Sequence, residues 1–347
     1  MPKQINQNAG IPHEMNALIL TKYGPLETGL SLRKTSTPSI ASNEILVRIH
    51  AAGLNPHDYK QALGKLQKHE PLTLPAPVGA DFSGEVAQVG TAITDFAVGD
   101  RVFGLCEGAI AEYCMVGPED IIKTPTICTF EEAASLSVAG MTTVQAFRRI
   151  GGIHAGDRVL IHAGSGGVGT FAIQYAKSQG ACVFTTTSKA NTELVRGLGA
   201  DRVIDYQNEN YLDICTDIDI VFDTLGGDHT FDAFKVLKAG GRVVSIVPAE
   251  INSFVATEFR LPAIARLFFH LKPSRIKTLM KKHNATYEFV FMRPANNDLK
   301  TIAGLIGTQA VSPVIDRVFP MDQAIDALRY LAGKHAKGKV IIRTQNP

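Results

Sequence analysis

The sequence predicts an α/β protein in which a β-rich domain accompanies a doubly wound parallel sheet. The length of 347 residues suits two domains that each have their own core. A strand, a glycine-rich turn and a helix follow one another near the middle of the chain. Before this point short strands are separated by Gly and Pro turns, and after it strands alternate with helices.

The mid-chain pattern occupies Arg158–Gly180. Val159–Ile161 is a short apolar run typical of a buried strand, and the residues after the turn have helical spacing. Gly-x-Gly-x-x-Gly in this context is typical of a dinucleotide site, where N–H groups at the helix N-terminus bind a pyrophosphate. Such glycines also occur in purely structural turns. The residues that we expect to contact a cofactor here are Gly164, Ser165, Gly166, Gly167 and Val168.

The segments that precede this pattern are short and β-rich, and they predict a compact, barrel-like domain. A helical stretch over Thr129–Arg149 leads from that domain to the central strand. The strands that we expect before the helix are Ala17–Leu20, Ile45–Ile49, Gly84–Val89 and Arg101–Phe103.

The segments after the glycine-rich turn predict a six-stranded parallel sheet, the number that a full dinucleotide fold needs. Its strands are Val159–Ile161, Cys182–Thr186, Arg202–Tyr206, Ile218–Leu225, Arg242–Val247 and Tyr287–Met292. Helices are expected at Asn191–Leu198, Thr230–Leu237, Asn297–Gly307 and Met321–Ala332, and further strands at Val314–Phe319 and Lys339–Arg343. We therefore divide the chain into a tail (1–14), a β-rich domain (15–139 and 293–347) and a cofactor-binding domain (140–292).

The residues after the second strand of this sheet indicate which dinucleotide binds. A carboxylate at this point would hold a ribose hydroxyl and favour NAD, but the chain has Thr186-Thr187-Ser188-Lys189. A hydroxyl and a lysine suit the 2′-phosphate of NADPH. Tyr206 ends the third strand and is placed to contact the same adenosine. Alternatively, Ser188 caps the next helix and Lys189 is merely solvated.

The carboxyl ends of the other strands are expected to line the same cofactor cleft, because ligands bind there in open parallel sheets. Leu225 and Val247 end the fourth and fifth strands, and Phe291 lies at the end of the last. For these residues, plain core packing is the competing interpretation.

Charge and cysteine content exclude several classes of protein. A net charge of +2 argues against a nucleic-acid partner. The five cysteines are scattered and suggest neither a disulfide framework nor a zinc ribbon. The polar N-terminus has no apolar core of the kind that signal peptides contain, so we expect a cytoplasmic protein.

The segment Leu261–His283 combines apolar residues with six basic ones. A basic amphipathic helix is typical of membrane-surface segments. More often such a stretch is a crossover helix with a solvated basic face, whose apolar face packs on a sheet. We adopt the crossover interpretation and expect no membrane contact.

Several motifs together resemble the medium-chain dehydrogenase/reductase superfamily, over roughly Met15–Arg343. They are Asn55-Pro56-His57-Asp58, Gly99-Asp100-Arg101-Val102, Gly108–Tyr113, Leu198–Tyr206 and His335–Val340. The chain is most similar to the zinc-independent quinone oxidoreductase branch, which includes alkenal/enone reductases and the reticulon-interacting mitochondrial quinone reductase. The resemblance implies a GroES-like catalytic domain, a Rossmann cofactor-binding domain and a homodimer joined along the strand Tyr287–Met292.

The chain departs from the zinc alcohol dehydrogenase pattern at its metal ligands. Those enzymes have a cysteine in place of Asn55 and Gly-His-Glu in place of Gly79-Ala80-Asp81. Their third ligand region corresponds to Ser137–Gly140, again without a cysteine. A zinc site needs Cys, His or carboxylate ligands at each position. We therefore expect no metal.

The resemblance also implies which residues lie near the nicotinamide. It places Asn55, Tyr59 and Lys60 there, the first to orient cofactor or substrate and the others as stabilisers or proton donors. Thr142 resembles the threonine that approaches the nicotinamide, and Lys339 of the tail motif is placed with the cofactor-binding residues. A surface turn is the alternative for Tyr59 and Lys60, and a helix hydroxyl bonded to its own backbone for Thr142.

These expectations define one function and one alternative. Without a metal an alkoxide is poorly stabilised, whereas hydride addition to a quinone or an α,β-unsaturated carbonyl yields a delocalised anion. We expect an NADPH-dependent reductase of such a small molecule. The alternative is a non-catalytic NADPH-binding protein, such as a redox sensor or a crystallin-like relative. A short-chain dehydrogenase is disfavoured, because its glycine motif would lie near the N-terminus.

Overall fold

The computed structural model describes residues 10–67 and 70–345, which form two units. The first unit contains the residues up to Val138, together with Pro294–Gly307 and the residues from Pro313 onward. The second unit contains Ala139–Arg293 and Thr308–Ser312. The tail expected over residues 1–14 lies, up to residue 9, outside the described residues.

The strands of the described residues are, in chain order, β1 (Glu14–Leu20), β2 (Leu30–Ser36), β3 (Ile45–Gly53), β4 (Ala76–Pro77), β5 (Asp81–Val89), β6 (Arg101–Leu105), β7 (Tyr113–Val116), β8 (Ile121–Lys123), β9 (Arg158–Ile161), β10 (Cys182–Thr187), β11 (Arg202–Asp205), β12 (Ile218–Asp223), β13 (Leu237–Ser245), β14 (Thr286–Phe289), β15 (Ile315–Pro320) and β16 (Lys339–Arg343). The helices are α1 (Leu26–Gly29), α2 (Pro56–Ala62), α3 (Phe130–Ala134), α4 (Ser137–Arg149), α5 (Gly167–Ser178), α6 (Thr192–Gly197), α7 (Tyr211–Ile214), α8 (Asp228–Val236), α9 (Ser253–Glu258), α10 (Ala263–Leu271), α11 (Arg275–His283), α12 (Asn296–Gly307) and α13 (Ala324–Ala332).

The second unit contains the six-stranded parallel sheet that the sequence predicts. Its order is β11-β10-β9-β12-β13-β14, and every neighbouring pair is parallel. Val159, Leu160 and Ile161 are fully buried because helices cover both faces of such a sheet. The strand order reverses beside β9, and its carboxyl end therefore opens at the point where ligands bind in these sheets.

The first unit is β-rich, as expected. One sheet has the order β15-β16-β3-β5-β6-β8, with β7 also paired to β3, and a smaller sheet has the order β2-β1-β4. The last strand, β16, is parallel to β15 and antiparallel to β3. The end of the chain therefore returns to complete this unit, and the predicted fold class is confirmed.

The helical stretch expected over Thr129–Arg149 is interrupted. Thr129 caps α3 by a capping box with Glu132, and α4 begins only at Ser137. A Cβ atom on Gly53 would overlap the carbonyl oxygen of Ala134, so β3 packs directly against the end of α3. The helix does not continue from α3 into α4, because the Val138 N–H donates to Asp81 Oδ1 at 2.7 Å.

The packing expected for Leu261–His283 is wrong for its first helix. No residue of α10 is buried, and most of its large apolar side chains are exposed rather than packed on the sheet. The second helix, α11, does bury Ile276 in the core of the second unit. Among the described residues, no helix is long and apolar enough to cross a membrane.

Candidate functional site

The glycine-rich turn joins β9 to α5 and leaves the start of that helix uncapped by any side chain. Gly166 is the N-cap residue, with φ −81° and ψ 172°. Its N–H donates to the Ala163 carbonyl at 3.0 Å, which closes the turn. The first N–H groups of a helix have no partner within the helix, and together with the helix dipole they bind anions. This geometry suits a pyrophosphate.

Three glycines of the turn have different packing requirements. A Cβ atom on Gly164 would overlap the Thr185 hydroxyl, and one on Gly169 would overlap the Ala163 carbonyl oxygen. On Gly166 the nearest atom would be that same carbonyl oxygen, at an ordinary 3.4 Å. Gly164 and Gly169 therefore serve the packing of strand on helix. Gly166 leaves room for whatever approaches the turn from outside.

Ser165 links the turn to the end of β10. Its hydroxyl accepts hydrogen bonds from Thr187 Oγ1 at 2.9 Å and from Asn191 Nδ2 at 3.1 Å. Asn191 Oδ1 is buried and has no hydrogen-bond partner within the described part of the chain. A buried acceptor of this kind suits a hydroxyl donor such as a ribose. From the sequence alone, Asn191 is expected only to begin a helix.

The expected 2′-phosphate residues lie at the carboxyl ends of β10 and β11. Ser188 precedes a short 3-10 turn and makes no capping hydrogen bond with its side chain, contrary to the capping alternative. Lys189 is exposed, and Tyr206 is 63% exposed while its N–H donates to the Thr187 carbonyl. These side chains are presented to solvent at one edge of the sheet.

An acidic residue that sequence analysis missed, Asp205, also lies at this edge. The Asn208 amide donates to Asp205 Oδ2 at 2.6 Å and is the main cause that lowers the pKa of this carboxyl. The backbone N–H groups of Gln207 and Lys189 and the charge of Lys189 lower it further. The Asp205 carboxylate is therefore hydrogen-bonded within its own loop, and it holds the backbone at Lys189 in place.

The carboxyl ends of β12 and β13 are joined by the buried Asp223. Its Oδ1 accepts from the N–H groups of Leu225 and Gly226, both at 2.9 Å. Its Oδ2 accepts from Ser245 Oγ at 3.0 Å, and the Ser245 hydroxyl lies 2.8 Å from the Val247 carbonyl oxygen. This network sets the backbone at Leu225 and Val247. The sequence signal for it is an acid directly after the apolar run Ile220–Phe222.

Thr142 and Phe291 lie elsewhere in the second unit. Thr142 is buried on α4, and the following residue, Thr143, donates its hydroxyl hydrogen to the Ala139 carbonyl at 2.9 Å. The Phe291 ring packs 5.2 Å from the ring of Phe259.

In the first unit, Lys339 forms the centre of a buried polar cluster. Its Nζ lies 2.7 Å from Asn55 Oδ1 and 2.7 Å from Asp81 Oδ2. Asn55 Nδ2 donates to the same Asp81 oxygen at 3.0 Å. Both ends of the Asn55 amide are thus engaged. The cluster was not foreseen, since Lys339 was expected among the cofactor-binding residues.

A second pair of titratable groups lies beside this cluster. The Asn55 N–H donates to Asp58 Oδ2 at 2.7 Å, and burial raises the pKa of Asp58 to about 6. His57 Nε2 lies 2.7 Å from Glu70 Oε2, and this hydrogen bond raises the pKa of His57. Asp58 and His57 both lie in the first turn of α2.

The two remaining catalytic candidates also lie on α2. The Tyr59 side chain is buried in the core of the first unit, and burial raises its pKa. Lys60 is half-buried, and burial lowers its pKa with help from the charges of Lys334 and Lys65. Across the described residues, no group of three or more His, Cys, Asp or Glu side chains could hold a metal.

Comparison with known proteins identifies the family of the chain. Residues 41–137 match the alcohol dehydrogenase GroES-like domain, and residues 198–342 match a family described as zinc-binding dehydrogenase. The NADPH-dependent alkenal/one oxidoreductase of Arabidopsis thaliana chloroplasts is 32% identical, over 97% of this chain and 82% of that protein. The mitochondrial NAD(P)H oxidoreductase RTN4IP1 of Danio rerio is 31% identical, over 94% of this chain and 91% of that protein.

Solved structures agree with these relatives. The quinone oxidoreductase of Coxiella burnetii superposes with a TM-score of 0.81 at 32% identity, over 96% of this chain and all of that one. The chain therefore belongs to the medium-chain dehydrogenase/reductase superfamily, whose members are oxidoreductases that use a nicotinamide cofactor.

Proposed function

We propose that this protein is an NADPH-dependent, zinc-independent reductase that transfers hydride to a quinone or an α,β-unsaturated carbonyl. The names of its relatives support this substrate class, since they include a quinone oxidoreductase and an alkenal/one oxidoreductase. The observation that carries the proposal is the Lys339 ammonium, which binds both Asn55 and Asp81.

The buried cluster does not fit a zinc ion. Asn55 and Asp81 stand where zinc-dependent members of the superfamily have ligands, and Asp81 alone offers an anionic one. An ammonium 2.7 Å from that carboxylate already neutralises it and would repel a metal cation. Hydride addition that gives a delocalised anion needs only hydrogen-bond donors and positive charge nearby. A quinone or an enone meets this condition better than an alcohol does.

The second unit supports NADPH as the nucleotide. When bound, NADPH supplies the hydride. The uncapped start of α5 suits its pyrophosphate, and the buried acceptor Asn191 Oδ1 suits a sugar hydroxyl. Ser188 and Lys189 suit the 2′-phosphate, and the acid that ends β11, Asp205, is engaged by Asn208.

The first unit supports roles for Asn55 and Lys60. The Asn55 amide is held at both ends, which makes it an orienting group rather than a proton donor. Burial lowers the pKa of Lys60, and the charges of two nearby cations, Lys334 and Lys65, lower it further. This positive field would stabilise an enolate or quinol anion, so we assign the electrostatic role to Lys60. Tyr59, packed in the core, supports the position of α2.

Product analysis tests this proposal. Purified protein would be incubated with NADPH deuterated at the nicotinamide C4 position and with either an enone or a quinone. We expect a saturated carbonyl that carries deuterium at its β-carbon, or the corresponding quinol. Tight NADPH binding without any product would instead favour the alternative, a redox sensor or crystallin-like protein.

We also propose that two copies pair along β14, which is the edge strand of the six-stranded sheet. An edge strand offers unpaired N–H and C=O groups to a second copy. Light scattering should give a mass of twice 37.4 kDa. A monomer mass at micromolar concentration would contradict the pairing.

A further inference from the structure

The helix α10 carries an unpartnered apolar stripe. Ile264, Leu267, Phe268 and Leu271 are spaced so that they share one face of the helix. They are 85%, 59%, 59% and 73% exposed. Burial of large apolar side chains is the main source of folding free energy, so a whole exposed stripe marks an interaction surface.

The opposite side of α10 fixes the helix to the second unit. Ala265 and Phe269 are half-buried, and α10 packs against α9. The Lys272 ammonium lies 5.8 Å from the centre of the Phe269 ring, a cation–π contact. The stripe is therefore presented to solvent by a helix that is held in place.

All lysines, arginines and acids considered, the segment that carries the stripe is basic, although one of its cations, Arg275, pairs with Asp228 at 3.9 Å. The segment Leu261–His283 contains six lysines and arginines and no acidic residue, in a chain whose total charge is only +2. Five of the six are exposed, namely Arg266, Lys272, Arg275, Lys281 and Lys282. We call Arg266, which lies on α10, and Lys272, which directly follows that helix, the basic flank of the stripe, because they belong to the same helical segment.

We propose that the α10 stripe and its basic flank bind the surface of an anionic lipid bilayer. A helix with one apolar face and basic neighbours lies in the plane of the bilayer, with its apolar side chains below the headgroups. The cations then meet lipid phosphates and carboxylates at the same surface. This is a peripheral contact of one helix and does not depend on the nucleotide or the acceptor.

Two other occupants suit the surface less well. A second copy bound by twofold symmetry would bring the segment against itself and oppose the same cations. A nucleic acid would use the cations but would leave the apolar stripe in water. An anionic bilayer satisfies both the stripe and the charge.

Flotation with vesicles tests the proposal. The full chain would be mixed with vesicles of phosphatidylcholine alone or of phosphatidylcholine with phosphatidylglycerol. We expect the protein to float only with the anionic vesicles, and molar salt should release most of it by screening. Replacing the stripe by serine (Ile264→Ser, Leu267→Ser and Phe268→Ser) should weaken binding by more than about tenfold per side chain buried in lipid.

Charge variants give a second measurement, because they leave the stripe intact. Arg266→Gln with Lys272→Gln should weaken binding to anionic vesicles by about fivefold for each lost cation. The matched controls are Val98→Ser with Ile127→Ser, which are exposed apolar residues elsewhere, and Lys22→Gln with Lys300→Gln, which are exposed cations elsewhere. Neither control should change binding.

Three results would overturn the proposal. The first is failure of the protein to float with anionic vesicles. The second is equal binding by the control and stripe variants. The third is a serine-stripe variant that still floats but has half the mass of the parent by light scattering, which would assign the stripe to a second copy instead.

Discussion

The Lys339 ammonium and the Asp81 carboxylate form a buried ion pair, with Nζ 2.7 Å from Oδ2 and side chains 6% and 0% exposed. The other Asp81 oxygen accepts the Val138 N–H at 2.7 Å. Lys339 begins β16 and Asp81 begins β5, so one contact links the last strand, a central strand and the start of α4. It couples the end of the chain to the interior of the first unit.

Removing the ammonium should destabilise the protein strongly. Lys339→Met leaves the Asp81 carboxylate buried without its charge partner, and we expect the free energy of unfolding to fall by about 3 to 5 kcal/mol. Denaturant unfolding followed by circular dichroism would measure this. Adding Asp81→Asn should restore part of the loss, because it removes the unpaired charge. The new amide oxygen can accept from Val138, and its NH2 group can donate to Asn55 Oδ1, which Lys339 no longer holds, once the Asn55 amide turns over. If the double variant is no more stable than Lys339→Met alone, the Lys339 ammonium and the Asp81 carboxylate are not energetically coupled.

The sequence predicts well what is local and poorly what is distant. The strand β9, the turn and α5 follow one another within Arg158–Ser178, so apolar spacing and glycines sufficed to identify them. Asn55 and Lys339 are 284 positions apart, and no local pattern shows that they meet. The motif that contains Lys339 could therefore be recognised, but its contact with Asp81 could not.

The same distinction explains two errors in the predicted helices. The stretch Thr129–Arg149 has continuous helical composition, but a tertiary hydrogen bond from Val138 to Asp81 accompanies its interruption. The apolar face of α10 predicts burial, yet whether a neighbouring element covers that face depends on the whole fold. Helical periodicity identifies a face and not its partner.

Substitutions in the glycine-rich turn should separate packing from cofactor binding. Gly166→Ala leaves its neighbours at ordinary distances, so we expect the melting temperature to change little while the Kd for NADPH rises at least about tenfold. Gly169→Ala overlaps the Ala163 carbonyl and should lower the melting temperature itself. Thermal unfolding and a fluorescence titration would measure the two effects. An equal drop in melting temperature for the two variants would show that Gly166 also serves packing.

Lys189 should determine the preference for NADPH over NADH. Lys189→Ala removes a cation from the 2′-phosphate position, and we expect the Kd for NADPH to rise about tenfold while that for NADH stays unchanged. Ser188→Asp should shift the preference further from NADPH toward NADH. A carboxylate there repels the 2′-phosphate of NADPH and binds a ribose hydroxyl of NADH. Lys300→Ala is the matched control at an exposed site on α12. Equal loss of both nucleotides in Lys189→Ala would refute a contact with the 2′-phosphate.

Asp58 should make the protein more stable as the pH falls from 7 to 5. Its pKa in the folded state is about 6, above its ordinary value of 3.8, so the folded state binds a proton before the unfolded state does. The full contribution is about 3 kcal/mol; it is present below about pH 4 and is lost as the pH rises from about 4 to 6. His57 acts in the same direction, because its pKa is also raised.

Two variants separate these contributions. Asp58→Asn should flatten the dependence of the unfolding free energy on pH between 5 and 7. His57→Asn should keep the part of this pH dependence that comes from Asp58. Urea unfolding at several pH values would give the slopes. An unchanged slope in Asp58→Asn would show that this carboxyl titrates in its ordinary range.

The most direct test of the account is steady-state NADPH oxidation by metal-stripped protein with a panel of quinones and enones. We expect turnover that chelators do not reduce, with kcat/KM for NADPH at least about tenfold above that for NADH. Turnover that appears only when zinc is restored, or tight NADPH binding with no acceptor reduced, would contradict it.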